Sequence, residues 1–180
     1  VRRFEPVADE GTGSDTTVWE AIIEPEEAAL LATLARQLQV LLAESLEPGA
    51  DADPALRALL PDPYRHDPEL ADEWRRLSRR GLVERKTGFA RTLAELVDPI
   101  ANAENAQPVR VTAEQALDWV RGIGSLRLVV AERLGIVDDE EPFGSAGENL
   151  SMLAEVYSFL GWVQDDLVRV LEQADDVRQS

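Results

Sequence analysis

Two rhythms of apolar and polar positions run along this chain. Near its start, Arg2 to Val7 and Thr17 to Ile23 alternate in part, and the turn-rich stretch Asp9-Glu10-Gly11-Thr12-Gly13-Ser14-Asp15 separates them. That pattern predicts a β-hairpin within residues 1–23. A short β-branched run at Val109 to Val111 predicts a third strand, near 109–111.

Elsewhere the period is helical. Pro25 with Glu26 and Glu27 reads as a first turn, proline where its missing N–H is harmless and acids at the positive end of the dipole. Leu31, Leu34, Leu38, Leu41 and Leu42 continue the pattern, which predicts a helix over 25–46, before Pro48-Gly49 stops it. Ala50 to His66 is rich in proline and aspartate and reads as a connection, with one turn of helix at Leu56 to Leu60. Asp67 then caps a helix over 68–100 whose inward positions are Trp74, Leu77, Leu82, Phe89, Leu93, Leu96 and Val97, with Gly81 or Gly88 as the place for a bend. Thr112 and Gln115 spell a capping box, and Gly135 a C-terminal stop, for a helix over 113–134. In the last helix, over 149–174, Leu153, Val156, Leu160, Val163, Leu167 and Val170 recur at intervals of three and four. The expected architecture is mainly α: a single domain over 1–180, with a bundle of four to five helices and a small three-stranded sheet.

At 180 residues such a domain buries roughly 70% of the surface its unfolded chain exposes, so it needs no staples. The sequence has no cysteine, which excludes disulfides, thiolate metal sites and cysteine nucleophiles. It also has no apolar run of membrane-spanning length and no basic-then-apolar leader, so the expectation is a cytoplasmic protein away from membranes.

Charge changes the picture most. The formal net charge of −17 opposes nucleic acid and anionic lipid. Its distribution is uneven: Arg75, Arg76, Arg79, Arg80, Arg85, Lys86 and Arg91 face the single acid Glu84 within 75–91, a local +6, while the remaining eleven basic and thirty-four acidic residues leave −23. Helical spacing puts Arg75, Arg79 and Lys86 on related turns, and likewise Arg76 and Arg80, so the expectation is a cationic ridge. Three readings of it stand: internal balance against the chain's own acids, a docking surface for an acidic protein, and a nucleic-acid contact. Arg76 to Arg85 also resembles the step from recognition helix to wing in winged-helix repressors, but Lys86 to Ile100 returns to helical spacing where a wing needs strands.

Catalytic chemistry is sparse. His66, the one histidine, lies in the connection without a ligand-spaced companion, and Asp138 to Glu141 lack an EF-hand spacing. Gly11 to Ser14 and Gly122 to Ser125 lack the lysine of a phosphate loop; the first reads as turn chemistry, the second as close helix packing. The sequence therefore predicts no catalytic site, no metal and no cofactor. Arg127, however, falls in the middle of the apolar stripe of its helix, and Tyr157 and Gln164 lie within or beside that of the last one. A guanidinium in a core must meet an acid or a fan of oxygens, so a buried polar network of Arg127, Tyr157 and Gln164 is expected, with an anion pocket as the alternative.

Asp67 with Trp74-Arg75-Arg76-Leu77, then Trp119, Leu126-Arg127-Leu128 and Arg133-Leu134-Gly135-Ile136, and finally Tyr157, Leu160-Gly161, Gln164 and Leu167-Val168 come in an order that resembles a known family. It is a small family of uncharacterised-domain proteins from GC-rich Gram-positive bacteria, the AosR-type oxidative-stress regulators. The resemblance implies a transcriptional regulator that works with an RNA polymerase sigma factor and carries a redox-active cysteine pair near its N-terminus. This sequence departs from it there, because Val1 to Glu20 holds no cysteine. The expected function is non-enzymatic regulation through protein contact at 75–91, with direct nucleic-acid binding as the alternative and a homodimer as a further possibility for the apolar last helix.

Overall fold

The computed structural model describes residues 1–7, 17–47, 50–61, 64, 66–135 and 148–179. The hairpin turn at Asp9 to Asp15, the Pro48-Gly49 stop and the acidic loop at Asp138 to Glu141 lie outside the described residues.

Three strands form one antiparallel sheet in the order β1 (Glu5–Val7), β2 (Val18–Ile23), β3 (Gln107–Thr112). The central strand sets the register: Trp19 sits opposite Pro6 and Val111, and Ala21 opposite Val109. Alternation then sorts the faces. Trp19, Ala21, Ile23, Val109 and Val111 are buried, while on the other face Arg110 Nε donates to the carboxylate of its cross-strand neighbour Glu20 at 2.8 Å.

Around this sheet the described residues form five helices: α1 (Pro25–Glu44), α2 (Pro54–Leu59), α3 (Pro68–Trp74, continued without a break through Arg75–Arg79 and Arg80–Ala101), α4 (Ala113–Leu134) and α5 (Glu148–Gln179). The protein is thus mainly helical with a small three-stranded sheet, as the hydrophobic rhythm predicts. Helix α1 packs along the Arg80–Ala101 part of α3, and α4 lies against that part and against α5, with α2 on its other side. Small side chains, Ala28, Ala32 and Ala35 of α1 with Ala90 and Ala94 of α3, are buried in this core. Phe4 and Trp119 close it under the sheet, ring edge to ring face at 6.2 Å.

The caps follow their sequence signals. Thr112 Oγ1 accepts from Gln115 N at 3.2 Å while Thr112 N donates to Gln115 Oε1 at 3.0 Å, and Gly135 closes α4 at φ 70°. Helix α1 ends at Glu44, short of the expected 46, because the buried Ser45 hydroxyl donates to Leu42 O at 2.6 Å and satisfies a carbonyl the next turn would have used. The connection before α3 holds more helix than expected, a 3₁₀ turn at Ala50–Ala52 and then α2, whose N-cap Asp53 accepts from Ala55 N at 2.9 Å.

The irregularity in α3 is not at Gly81 or Gly88. It is a π turn at Arg75–Arg79. Its reason lies in the burial pattern: Ala71 and Val83 are both buried, twelve positions apart. In a continuous α-helix that separation leaves them about 120° apart, whereas one inserted residue reduces the offset to about 20°. The same insertion turns Leu77 outward, 70% exposed, although the spacing predicts an inward position.

Candidate functional site

The register of the buried face of α3 decides what becomes of the basic stretch. Of Arg75 and Arg76 only the backbone is described. Beyond the turn, the inward face of α3 carries Val83, Ala90, Leu93 and Val97, and Arg79 and Lys86 stand at its border, half-buried. Arg79 Nε is fully buried. Lys86 Nζ reaches across to α4 and donates to Ser125 Oγ at 3.3 Å, while that hydroxyl donates to Arg121 O at 3.0 Å. Burial holds the Lys86 ammonium below the ordinary lysine pKa.

Arg80, Arg85 and Arg91 lie on the exposed side together with Leu77, Gly81 and Glu84. Arg91 Nε sits 3.9 Å from Glu95, a loose pair on successive turns. Arg80 and Arg85 make no ion pair or hydrogen bond among the described residues. The expected ridge is therefore split. Arg79 and Lys86 belong to the helix border, and Arg80, Arg85 and Arg91 form the outward cationic face. The sequence spacing, which takes Leu82, Phe89 and Leu96 as inward positions, missed this because the buried face runs one residue further on, through Val83, Ala90 and Val97.

Between α4 and α5 the three polar side chains named from the sequence meet. Arg127 Nη1 donates to Gln164 Oε1 at 2.9 Å and Nη2 to Tyr157 Oη at 3.1 Å, with the guanidinium carbon 4.6 Å from the tyrosine ring centroid. Gln164 Nε2 passes the connection on to Val120 O at 3.2 Å. All three are half-buried, and among the described residues no carboxylate pairs with Arg127. Two glycines make room. A Cβ on Gly124 would lie 3.1 Å from Gln164 Nε2, and one on Gly161 3.7 Å from the Arg127 guanidinium. Gly122 serves packing, as its sequence position suggests: a Cβ there would stand 3.3 Å from the Phe89 carbonyl oxygen of α3.

A second polar junction was not singled out in the sequence. Asp166 of α5 is 7% exposed; its carboxylate accepts from Phe4 N at 2.7 Å and from Arg169 Nε and Nη2 at 3.1 and 2.9 Å. Arg169 Nη2 also donates to Phe4 O at 2.5 Å, so the pair grips both backbone groups of one residue. The signal was present, since position 166 is one turn from Val163 and Val170 on the apolar seam, but Asp165 beside it makes the dipeptide look solvated.

At the α3–α4 seam Asp118 stands 3.9 Å from Arg121. Burial raises its carboxyl pKa and Glu114 adds to the rise, against the opposing pull of Arg121 and Thr92. Arg121 itself lies over the Phe89 ring at 5.2 Å. His66 is exposed. Among the described residues no three His, Asp or Glu side chains gather where they could hold a metal ion, and no helix is long and apolar enough to cross a membrane.

The protein is thus of the mainly helical class, with a three-stranded antiparallel sheet on its helical core, a half-buried arginine junction between α4 and α5 and a buried aspartate that holds the N-terminal strand segment. The chain belongs to the family described as Domain of unknown function (DUF2017), which it matches over residues 2–171. No curated protein and no solved structure matches it.

Proposed function

We propose that this protein is a non-enzymatic regulator that acts by binding an acidic protein surface through the outward face of α3, in the manner of the AosR-type oxidative-stress regulators its motifs resemble. A sigma factor of RNA polymerase is the partner that resemblance implies. One observation carries the reading. Arg80 and Arg85 are exposed and engage no carboxylate among the described residues, in a chain whose sequence outside 75–91 carries −23. Acids abundant enough to neutralise them lie elsewhere in the sequence, yet among the described residues none of them engages Arg80 or Arg85. Leu77, 70% exposed beside them, adds an apolar contact of the kind that anchors a docked helix. These 180 residues hold no cysteine, so none of them supplies the thiol pair of the family it resembles.

The test is affinity capture from the native cell with the chain and with an Arg80→Glu, Arg85→Glu variant, checked for folding by circular dichroism. The expected result is a captured protein with an acidic surface, lost by the variant. Equal capture by both overturns the reading. A mobility-shift titration at low and moderate salt tests direct nucleic-acid binding, which needs a shift that weakens steeply as salt rises.

A further inference from the structure

Helices α1, α4 and the start of α5 enclose an open groove of about 570 Å³, lined by none of the basic residues of 75–91. Its floor is apolar, built from Leu34, Leu38 and Leu41 of α1, Leu126 and Val130 of α4, and Leu153 of α5, and its rim carries Arg36, Glu44 and Arg133. Val40 stands on the α1 side of this groove and is 58% exposed, although it belongs to a helix whose other valine- and leucine-bearing face is packed. The exposed residues of α1 that line the groove are Thr33, Arg36, Gln37, Val40 and Glu44. About Val40 their charges are complementary: the base at 36 and the acid at 44 lie four positions to either side.

We propose that this groove is the contact surface for a second copy of the chain, with two α1 helices crossing antiparallel at Val40. A two-fold interface presents the same patch from both sides, so residue 40 + n of one helix meets residue 40 − n of the other. In that register Arg36 faces Glu44 of the second copy twice, and the two Val40 side chains meet at the axis beside both leucine-lined grooves. The reverse register would set Arg36 against Arg36 and Glu44 against Glu44. The self-complementary order of charge therefore selects both the occupant and its direction. Arg36 at present clasps Asp98 of its own chain, but both side chains are largely exposed, at 56% and 40%, so the pair is readily exchanged for Glu44 of the second copy.

Sedimentation velocity on the full chain, at physiological salt and up to about 100 µM protomer, tests this. The expected result is a mass that rises from 19.9 kDa towards twice that value with concentration. Val40→Glu, which buries two like charges at the axis, abolishes the dimer. Arg36→Glu and Glu44→Arg each weaken it about tenfold, and the double variant Arg36→Glu, Glu44→Arg restores it, because the swap rebuilds both cross-pairs. Asp98→Ala, which removes the competing internal partner of Arg36, leaves the dimer at least as strong and separates the loss of the internal clasp from the loss of the interface. Circular dichroism melts establish that each variant is folded. A wild-type chain that stays monomeric throughout, a dimer indifferent to Val40→Glu, or a charge swap that fails to restore association overturns the proposal and leaves the groove to another occupant.

Discussion

Arg127 shows how one side chain can be tolerated among apolar neighbours with no carboxylate partner among the described residues. Its charge is spread over a phenol oxygen, an amide oxygen and an aromatic face, each a weaker partner than a carboxylate but together enough to replace part of its water shell. Removing one partner should then cost more than removing the interaction as a unit. Gln164→Leu leaves Arg127 Nη1 unsatisfied and is expected to lower stability by about 1–3 kcal/mol. Arg127→Met alone leaves the Gln164 amide oxygen bare, and the double variant should lose less than the two single losses combined, with a coupling of roughly 0.5–3 kcal/mol. Urea unfolding of the four proteins measures it. A strictly additive cycle would mean that the contact contributes nothing to stability.

Helices in this chain are set by their ends as much as by their faces. Asp53 caps α2 through Ala55 N and at the same time takes Arg133 Nη2 of α4 at 2.8 Å, so one carboxylate starts a short helix and ties it to a long one. Burial pushes this carboxyl up, but the Ala55 N–H and the Arg133 guanidinium outweigh it and hold its pKa below 3.8. A carboxyl depressed on folding contributes stability above its unfolded pKa and loses it as the pH falls through the folded one. Asp53→Ala is therefore expected to cost about 1 kcal/mol at pH 7, and the difference from the parent should shrink as the pH falls below the ordinary carboxylate range and vanish once the parent carboxylate is itself protonated. Urea titrations at neutral and acidic pH test this; a gap that widens on acidification would contradict the assigned direction. The π turn of α3 belongs to the same level of organisation, since one inserted residue lets Ala71 and Val83 share a face and turns Leu77 to solvent.

Across the whole molecule, the first strand and the last helix depend on each other. The 162 positions between Phe4 and Asp166 close through one buried carboxylate and its arginine. Asp166→Ala strips Phe4 N of its acceptor and leaves Arg169 without its acid, at a cost of roughly 3 kcal/mol. The loss should be local first. Hydrogen exchange is expected to quicken at Phe4 and along β1 well before it does at the α1–α3 interface, because β1 is a three-residue edge strand with little else to hold it. Uniform acceleration over all helices would instead mean that this junction supports the core as a whole.

Local signals were enough for most elements. Thr112-x-x-Gln115, Asp67-Pro68 and Gly135 mark helix ends through hydrogen bonds that span a few residues, and the alternation around Trp19 and Val109 marks strands through a two-residue period, so a linear reading reaches them. The meeting of Arg127 with Gln164 and Tyr157 was legible for a related reason: a polar group on an apolar stripe has to find polar company. What the chain did not disclose along its length is whatever depends on phase or on distant partners. Spacing alone cannot register the inserted residue at Arg75–Arg79, and it set the buried face of the helix one residue early, at Leu82 and Phe89 instead of Val83 and Ala90, so it did not foresee that Lys86 and Arg79 stand at the border while Arg80 and Arg85 face water. Asp166 and Arg169 became a clasp only when Phe4 was folded against them. The groove beside Val40 likewise exists only where α1, α4 and α5 converge. Periodicity determines which face a helix buries; only packing in three dimensions decides what that face meets and which charges remain outside.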